Sequence, residues 1–150
     1  MNPEIKLQQL GITLPTVAAP AAAYVLASQV DNLIFVSGHI AKKDGKPWVG
    51  KLGQGMSTAE GQQAARLVAI DLIATLKHHC ADLSKIKRII KVMSLVNSTE
   101  AFTEQHVVTN GCSELLVEVF GSAHARSAFG VAQLPLGVCV EIELIAECVK

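Results

Sequence analysis

The chain has 150 residues, half of them apolar and 17% charged, with 13 basic residues balanced by 13 acidic ones. This length fits one domain, residues 1–150, with a real core, and the apolar share suggests that another subunit covers part of the surface. A net charge of +0 and a pI of about 7.0 argue against nucleic-acid binding and against adhesion to an anionic membrane, since both call for a basic patch.

The N-terminal MNPEIKLQQL carries charges and no long apolar core, so no signal peptide is expected. No run approaches the roughly 20 apolar residues of a membrane span. The Pro/Ala-rich LPTVAAPAAA (14–23) reads as an extended lead-in. YVLASQV (24–30) and NLIFVSGHI (32–40) predict two strands around a turn at Asp31-Asn32. Turn signals at Asp44-Gly45 and Lys46-Pro47 mark the loop 41–53.

Ser57-Thr58-Ala59-Glu60 has the form of a capping box and opens a long helix. Ala65, Val68, Ala69, Leu72, Ile73 and Leu76 give that helix one apolar face. Lys77, His78 and His79 sit in its last turn, where positive charge suits the dipole. IKRIIKVMSLVNS (86–98) predicts a buried strand, and Thr103 to Phe120 a second helix ended by Gly121. SAFGVA (127–132) and VCVEIELIAECV (138–149) predict the last strands, joined by QLPLG.

The order β-β-α-β-α-β-β predicts an α+β architecture, a sheet with two helices packed on one face. In the last strand Val140, Ile142, Leu144, Ala146 and Cys148 alternate with Glu141, Glu143, Ile145 and Glu147, so one face is aliphatic and the other largely acidic. A hairpin pairing residues 130 and 141 would place Arg126 on the acidic face, and a one-residue slip would move it across.

Cys80, Cys112, Cys139 and Cys148 form no CxxC pair and lie among apolar residues. They read as free thiols of a reduced, cytoplasmic protein rather than a zinc or redox site. The five histidines show no ligand spacing, and no thiol is tied to an imidazole as a nucleophile pair.

One region carries a resemblance. His-Ala-Arg126-Ser-Ala, then Val131-Ala132, Leu134-Pro135 and Val140-Glu141-Ile142-Glu143-Leu144-Ile145-Ala146 resemble the C-terminal signature of the reactive intermediate deaminase (RidA/YjgF) family, many members of which are labelled endoribonuclease L-PSP. Val36-Ser37-Gly38 is similar to the family's Ser-Gly-Gln segment, Tyr24 has the spacing of its site tyrosine, and Asn110 and Glu114 match an Asn and a Glu of its second helix. The resemblance spans residues 18–148.

The resemblance implies a chorismate-mutase-like fold, a homotrimer with sites in clefts between subunits, and hydrolysis of 2-imino acids or their enamine tautomers to 2-keto acids and ammonia. It implies no cofactor and no metal. By position Arg126 would bind the substrate carboxylate, Glu141 would hold the attacking water, and Tyr24, Ser37, Gly38 and Asn110 would line the pocket. These residue types suit that chemistry. A guanidinium fixes a carboxylate bidentately, and a reactive imine needs orientation plus one acid/base group.

The chain departs from the family at His39, where Gln is usual, at Ala128 in place of Cys, and at Gly130 in place of a larger polar residue. These changes suggest a sub-branch with a reshaped pocket. The rival reading is a non-catalytic trimer that holds a small carboxylate or regulates a partner. Endoribonuclease activity is disfavoured by the neutral charge and the absence of a basic, aromatic-rich face.

Overall fold

The computed structural model describes residues 1–150. It opens with a helix that the sequence patterns do not predict, α1 (Pro3–Gln9). Its signal is short: the Asn2 side chain accepts from the Glu4 backbone N–H at 2.8 Å, and Pro3 starts the helix, where it loses no hydrogen bond. Seven residues cannot hold a helix alone. Leu7 is buried, and Glu4 accepts from Lys77 Nζ at 3.0 Å and from the Leu83 backbone N–H at 3.3 Å.

Strand β1 (Ala27–Val30) turns at Asp31 into β2 (Leu33–Ile40). The connection to the long helix holds only two-residue strands: β3 (Lys42–Lys43) with β4 (Lys46–Pro47), and β5 (Lys51–Leu52) with β6 (Gly55–Met56). Helix α2 (Thr58–Cys80) starts on Ser57 with both halves of the capping box formed, and ends on Ala81 in the left-handed region. Strand β7 (Ile86–Asn97), helix α3 (Gln105–Phe120), strand β8 (Ala125–Val131) and strand β9 (Val140–Cys148) complete the chain.

The α+β architecture is as expected: five strands in the order β1-β2-β9-β7-β8, with α2 and α3 packed on one face. The aliphatic residues of β9 face those helices. Val140, Ile142, Leu144 and Ala146 are buried, as are Val68, Leu72, Ile73 and Leu76 of α2 and Val108, Cys112, Leu115 and Leu116 of α3. The two helices approach closely through Gly111, where a Cβ would run into the Gln62 carbonyl oxygen. No helix is long and apolar enough to cross a membrane.

The pairing of the last two strands differs from the expected hairpin. β8 pairs only with β7, in parallel, and β9 lies between β2 and β7. The unit β7-α3-β8 is a strand–helix–strand crossover, which requires a parallel pair. β8 thus already has a partner when the chain returns, and β9 takes the antiparallel slot on the other side of β7.

Candidate active site

The register fixes where the candidate residues stand. Arg126 aligns with Val92 and, through it, with Leu144, both buried under the helices. Arg126 therefore lies on the helix-covered side of the sheet. Glu141 aligns with Leu95 and Ile40 on the opposite, open face. The expected placement of Arg126 and Glu141 on one face is corrected by this register.

Arg126 stands on an edge strand, half-buried beneath α3. Its guanidinium donates to Ser113 Oγ at 3.2 Å and to the His106 carbonyl oxygen at 3.3 Å. The ion pair with Glu143 that an ordinary structural role would call for is not formed, and Arg126 has no acidic partner in the chain. His106, Asn110 and Ser113 follow one another on one face of α3 by helical spacing, so the half-buried Asn110 belongs to the same surface. His124 Nε2 lies 2.9 Å from Ser113 Oγ. Burial, with the Arg126 charge beside it, holds His124 below its ordinary pKa. Ser113 Oγ accepts from the guanidinium and shares a second hydrogen bond with the His124 ring. The result is an arginine with donors to spare and no counter-charge.

The second group of residues gathers around a bulge in β2. The pairing with β9 slips between Val36 and His39, so Ser37 and Gly38 together oppose Glu143. Ser37 donates its backbone N–H to the Leu26 carbonyl oxygen at 2.9 Å and its hydroxyl to the Val25 carbonyl oxygen at 2.6 Å. These bonds fasten the segment that carries Tyr24, which precedes β1 instead of lying within it and is 53% exposed. Gly38 lies directly beneath Glu141: a Cβ there would come within 2.5 Å of Glu141 Oε2. Burial, helped by the Glu143 charge, holds the Glu141 carboxyl above the usual carboxylate range.

The structure thus places Ser37 and Gly38 with Glu141, with the segment after Tyr24 tied to Ser37, and sets Arg126 beneath the α3 face that carries Asn110. It does not bring the two together within one chain. β2 and β8 are three strand spacings apart, about 14 Å, and the groups occupy opposite faces.

A model of the family described as "YjgF/chorismate mutase-like, putative endoribonuclease" matches residues 4–148. The chain belongs to the YjgF family. It is 43% identical over 145 residues to "Protein TCP17" of Trypanosoma cruzi, covering 94% of this chain and 91% of that protein. Two solved structures superpose closely. One is the protein Atu1372 of Agrobacterium tumefaciens, of unknown function, with a TM-score of 0.89 and 41% identity over 98% of this chain and 94% of that one. The other is named a "putative endoribonuclease" of Shewanella oneidensis, with a TM-score of 0.93 and 34% identity over 98% and 99%.

Two departures from the YjgF pattern have structural counterparts. At Gly130 a Cβ would come within 2.6 Å of Ser98 Oγ and 2.9 Å of Gln105 Nε2. The Gln105 carboxamide, which donates to Ser98 Oγ and the Phe102 carbonyl oxygen, fills the space a side chain at 130 would take. His39 turns toward α2, away from Glu141, and bonds Thr75. Sequence reasoning missed Gln105 and Ser113, while His124, two residues before Arg126, is one it could place at the border of the cleft or in a loop. Only the i+3 spacing of Ser113 from Asn110 could have flagged the serine. Glu114, matched to a YjgF glutamate, opens instead on a groove with Gln63 and Arg66. Two of the thiols are poor nucleophiles: burial pushes Cys112 up to about 12 and Cys139 up to about 11.

Proposed function

We propose that this YjgF-family chain hydrolyses 2-imino acids, or their enamine tautomers, to 2-keto acids and ammonia, as a homotrimer with its sites in the clefts between subunits. The observation that carries the reading is Arg126: a half-buried guanidinium with donors free and no acid in the chain to pair with. Such a group suits a planar carboxylate.

The substrate carboxylate binds Arg126, with Asn110 beside it. Glu141, from the adjoining subunit, accepts a proton from water as the oxygen adds to the C=N carbon. It returns that proton to nitrogen, then passes the carbinolamine hydroxyl proton to the amine as the C–N bond breaks, which releases ammonia and leaves the keto acid. A carboxyl held above its ordinary range is suited to both transfers. Tyr24, Ser37 and Gly38 line the same cleft. The chemistry as proposed calls for no metal or cofactor. The open sheet face supports assembly, because Phe35 and Phe129 are each 44% exposed on it in the isolated chain.

The test is ammonia and keto-acid release from imines generated in situ by an amino-acid oxidase, measured above the spontaneous rate. Arg126→Ala is expected to lower kcat/KM by about 10–100-fold, the worth of one lost charged hydrogen-bonding partner. An unchanged rate in that variant would remove the arginine from the site. Thermal stabilisation by small keto acids with no turnover on any imine would favour a carboxylate-binding protein instead.

A further inference from the structure

His39 stands one residue from the proposed site, and the proposed reaction gives it no role. Its Nδ1 lies 2.6 Å from the Ser37 carbonyl oxygen and its Nε2 lies 2.7 Å from Thr75 Oγ1. A carbonyl oxygen only accepts, so Nδ1 carries the hydrogen. In a neutral ring Nε2 then accepts from the Thr75 hydroxyl. Burial favours that neutral form, and Thr75 is 2% exposed within α2. The ring is fastened at both nitrogens, to its own strand and to the helix packed over it.

The Ser37 carbonyl belongs to the bulge. A bulged residue ordinarily leaves its backbone groups outside the ladder. Here Ser37 is held by its N–H, its hydroxyl and its carbonyl, the first two toward Leu26 and Val25 and the third toward His39. Gly38 comes next and touches the space of the Glu141 carboxylate. A shift of a few tenths of an ångström in this bulge changes how much room, and how much water, that carboxylate has.

We propose that His39 is a positioning residue: through the Ser37 carbonyl it holds the Ser37–Gly38 bulge against Glu141, with Thr75 of α2 as its anchor. The proposal rests on the reading in which Glu141 handles the water. It requires no contact between His39 and substrate. A flat ring with a donor on one edge and an acceptor on the other meets both partners without bending.

Three variants test it: His39→Leu, which fills the space without hydrogen bonds, His39→Asn, whose amide keeps a donor near the Nδ1 position, and Thr75→Val, which removes only the anchoring hydroxyl. The first readout is the titration of the Glu141 carboxyl by NMR on protein labelled at glutamate carbons, which needs no substrate. In His39→Leu the bulge relaxes, water reaches the carboxylate, and the midpoint falls toward the ordinary glutamate value. His39→Asn keeps the parent midpoint, and Thr75→Val moves it in the direction of the leucine variant. The second readout is imine hydrolysis: His39→Leu loses about tenfold in kcat, as expected for a slightly displaced acid/base group, with KM unchanged because Arg126 is untouched. A leucine variant with the parent titration and kcat overturns the proposal, as does an asparagine variant that behaves like leucine. If His39→Leu does not fold, an unmoved Glu141 midpoint in Thr75→Val overturns it. If the parent protein turns over no imine, the deaminase reading falls, and the titration still decides the role of His39.

Discussion

In the proposed site, the absence of a side chain on Gly38 leaves room for the Glu141 carboxylate. A methyl group on residue 38 would collide with the end of a flexible side chain, not with backbone, so the carboxylate moves and the fold does not. Gly38→Ala is expected to cut imine hydrolysis by about tenfold or more through loss of the positioned acid/base group. Its urea midpoint should stay close to that of the parent, since Gly38 has no left-handed backbone to strain. His39 carries a separate, pH-dependent prediction. Its folded pKa is lowered by burial, against 6.5 for a free histidine. As pH falls through 6.5 the unfolded chain takes up a proton that the folded chain refuses, so the stability contributed by the neutral ring is lost on acidification. The loss is at most about 1.4 kcal/mol per pH unit. His124, lowered by burial and Arg126, acts with the same sign. Glu141 and Asp71, both raised by burial, act with the opposite sign. Comparing urea midpoints of the parent and His39→Asn between pH 7.5 and 5.5 isolates the His39 share: the variant should lose less stability on acidification.

At the scale of elements, the crossing of α2 and α3 is set by Gly111. An alanine there meets the backbone of Gln62, which cannot step aside as a side chain would. Gly111→Ala is therefore expected to destabilise the protein by about 1–3 kcal/mol despite its better helix propensity, readable as a lower thermal midpoint. The main elements were legible because their signals are local. Ser57 and Glu60 announce the start of α2, and alternation along 140–148 announces β9 with its buried face. Helix α1 was not legible, since Leu7 and Glu4 gain their stability from Leu83 and Lys77, more than 70 residues away. The β8–β9 hairpin was misread for a related reason. Proximity in sequence suggests pairing, and only the α3 crossover reveals that β7 claims β8 first. That misreading also displaced the candidate residues: their identities stand in the sequence, but whether Arg126 and Glu141 share a face depends on register.

For the whole molecule, the proposed trimer would take Arg126 of a cleft from one subunit and Glu141 from its neighbour, because the two lie on opposite faces of one chain. A complementation experiment tests this directly. Arg126→Ala and Glu141→Ala should each retain about a tenth of the parent rate or less alone. Mixed by co-refolding, about a quarter of the clefts pair an intact arginine with an intact glutamate, so about a quarter of the parent rate should return. A site built within one chain would return none. Phe129→Glu places a charge on the open sheet face without touching either half-site. It should release monomers, seen by light scattering, and abolish hydrolysis together.

The bulge in β2 has one more consequence, for which changes of length the protein tolerates. Val36 and His39 both point toward the helices although they stand three residues apart, an odd separation that a regular strand does not allow. The surplus residue between them absorbs the mismatch. Deleting one residue elsewhere in a strand turns everything beyond it over to the wrong side. Deleting Ser37 does the reverse: it leaves an unbroken ladder in which Val36 and His39 keep their sides. Such a shortened chain would retain its core and lose the ties from Ser37 to Val25 and Leu26 beside the proposed cleft. A one-codon deletion, ordinarily among the harshest changes a sheet can suffer, would here spare the fold and disturb the site.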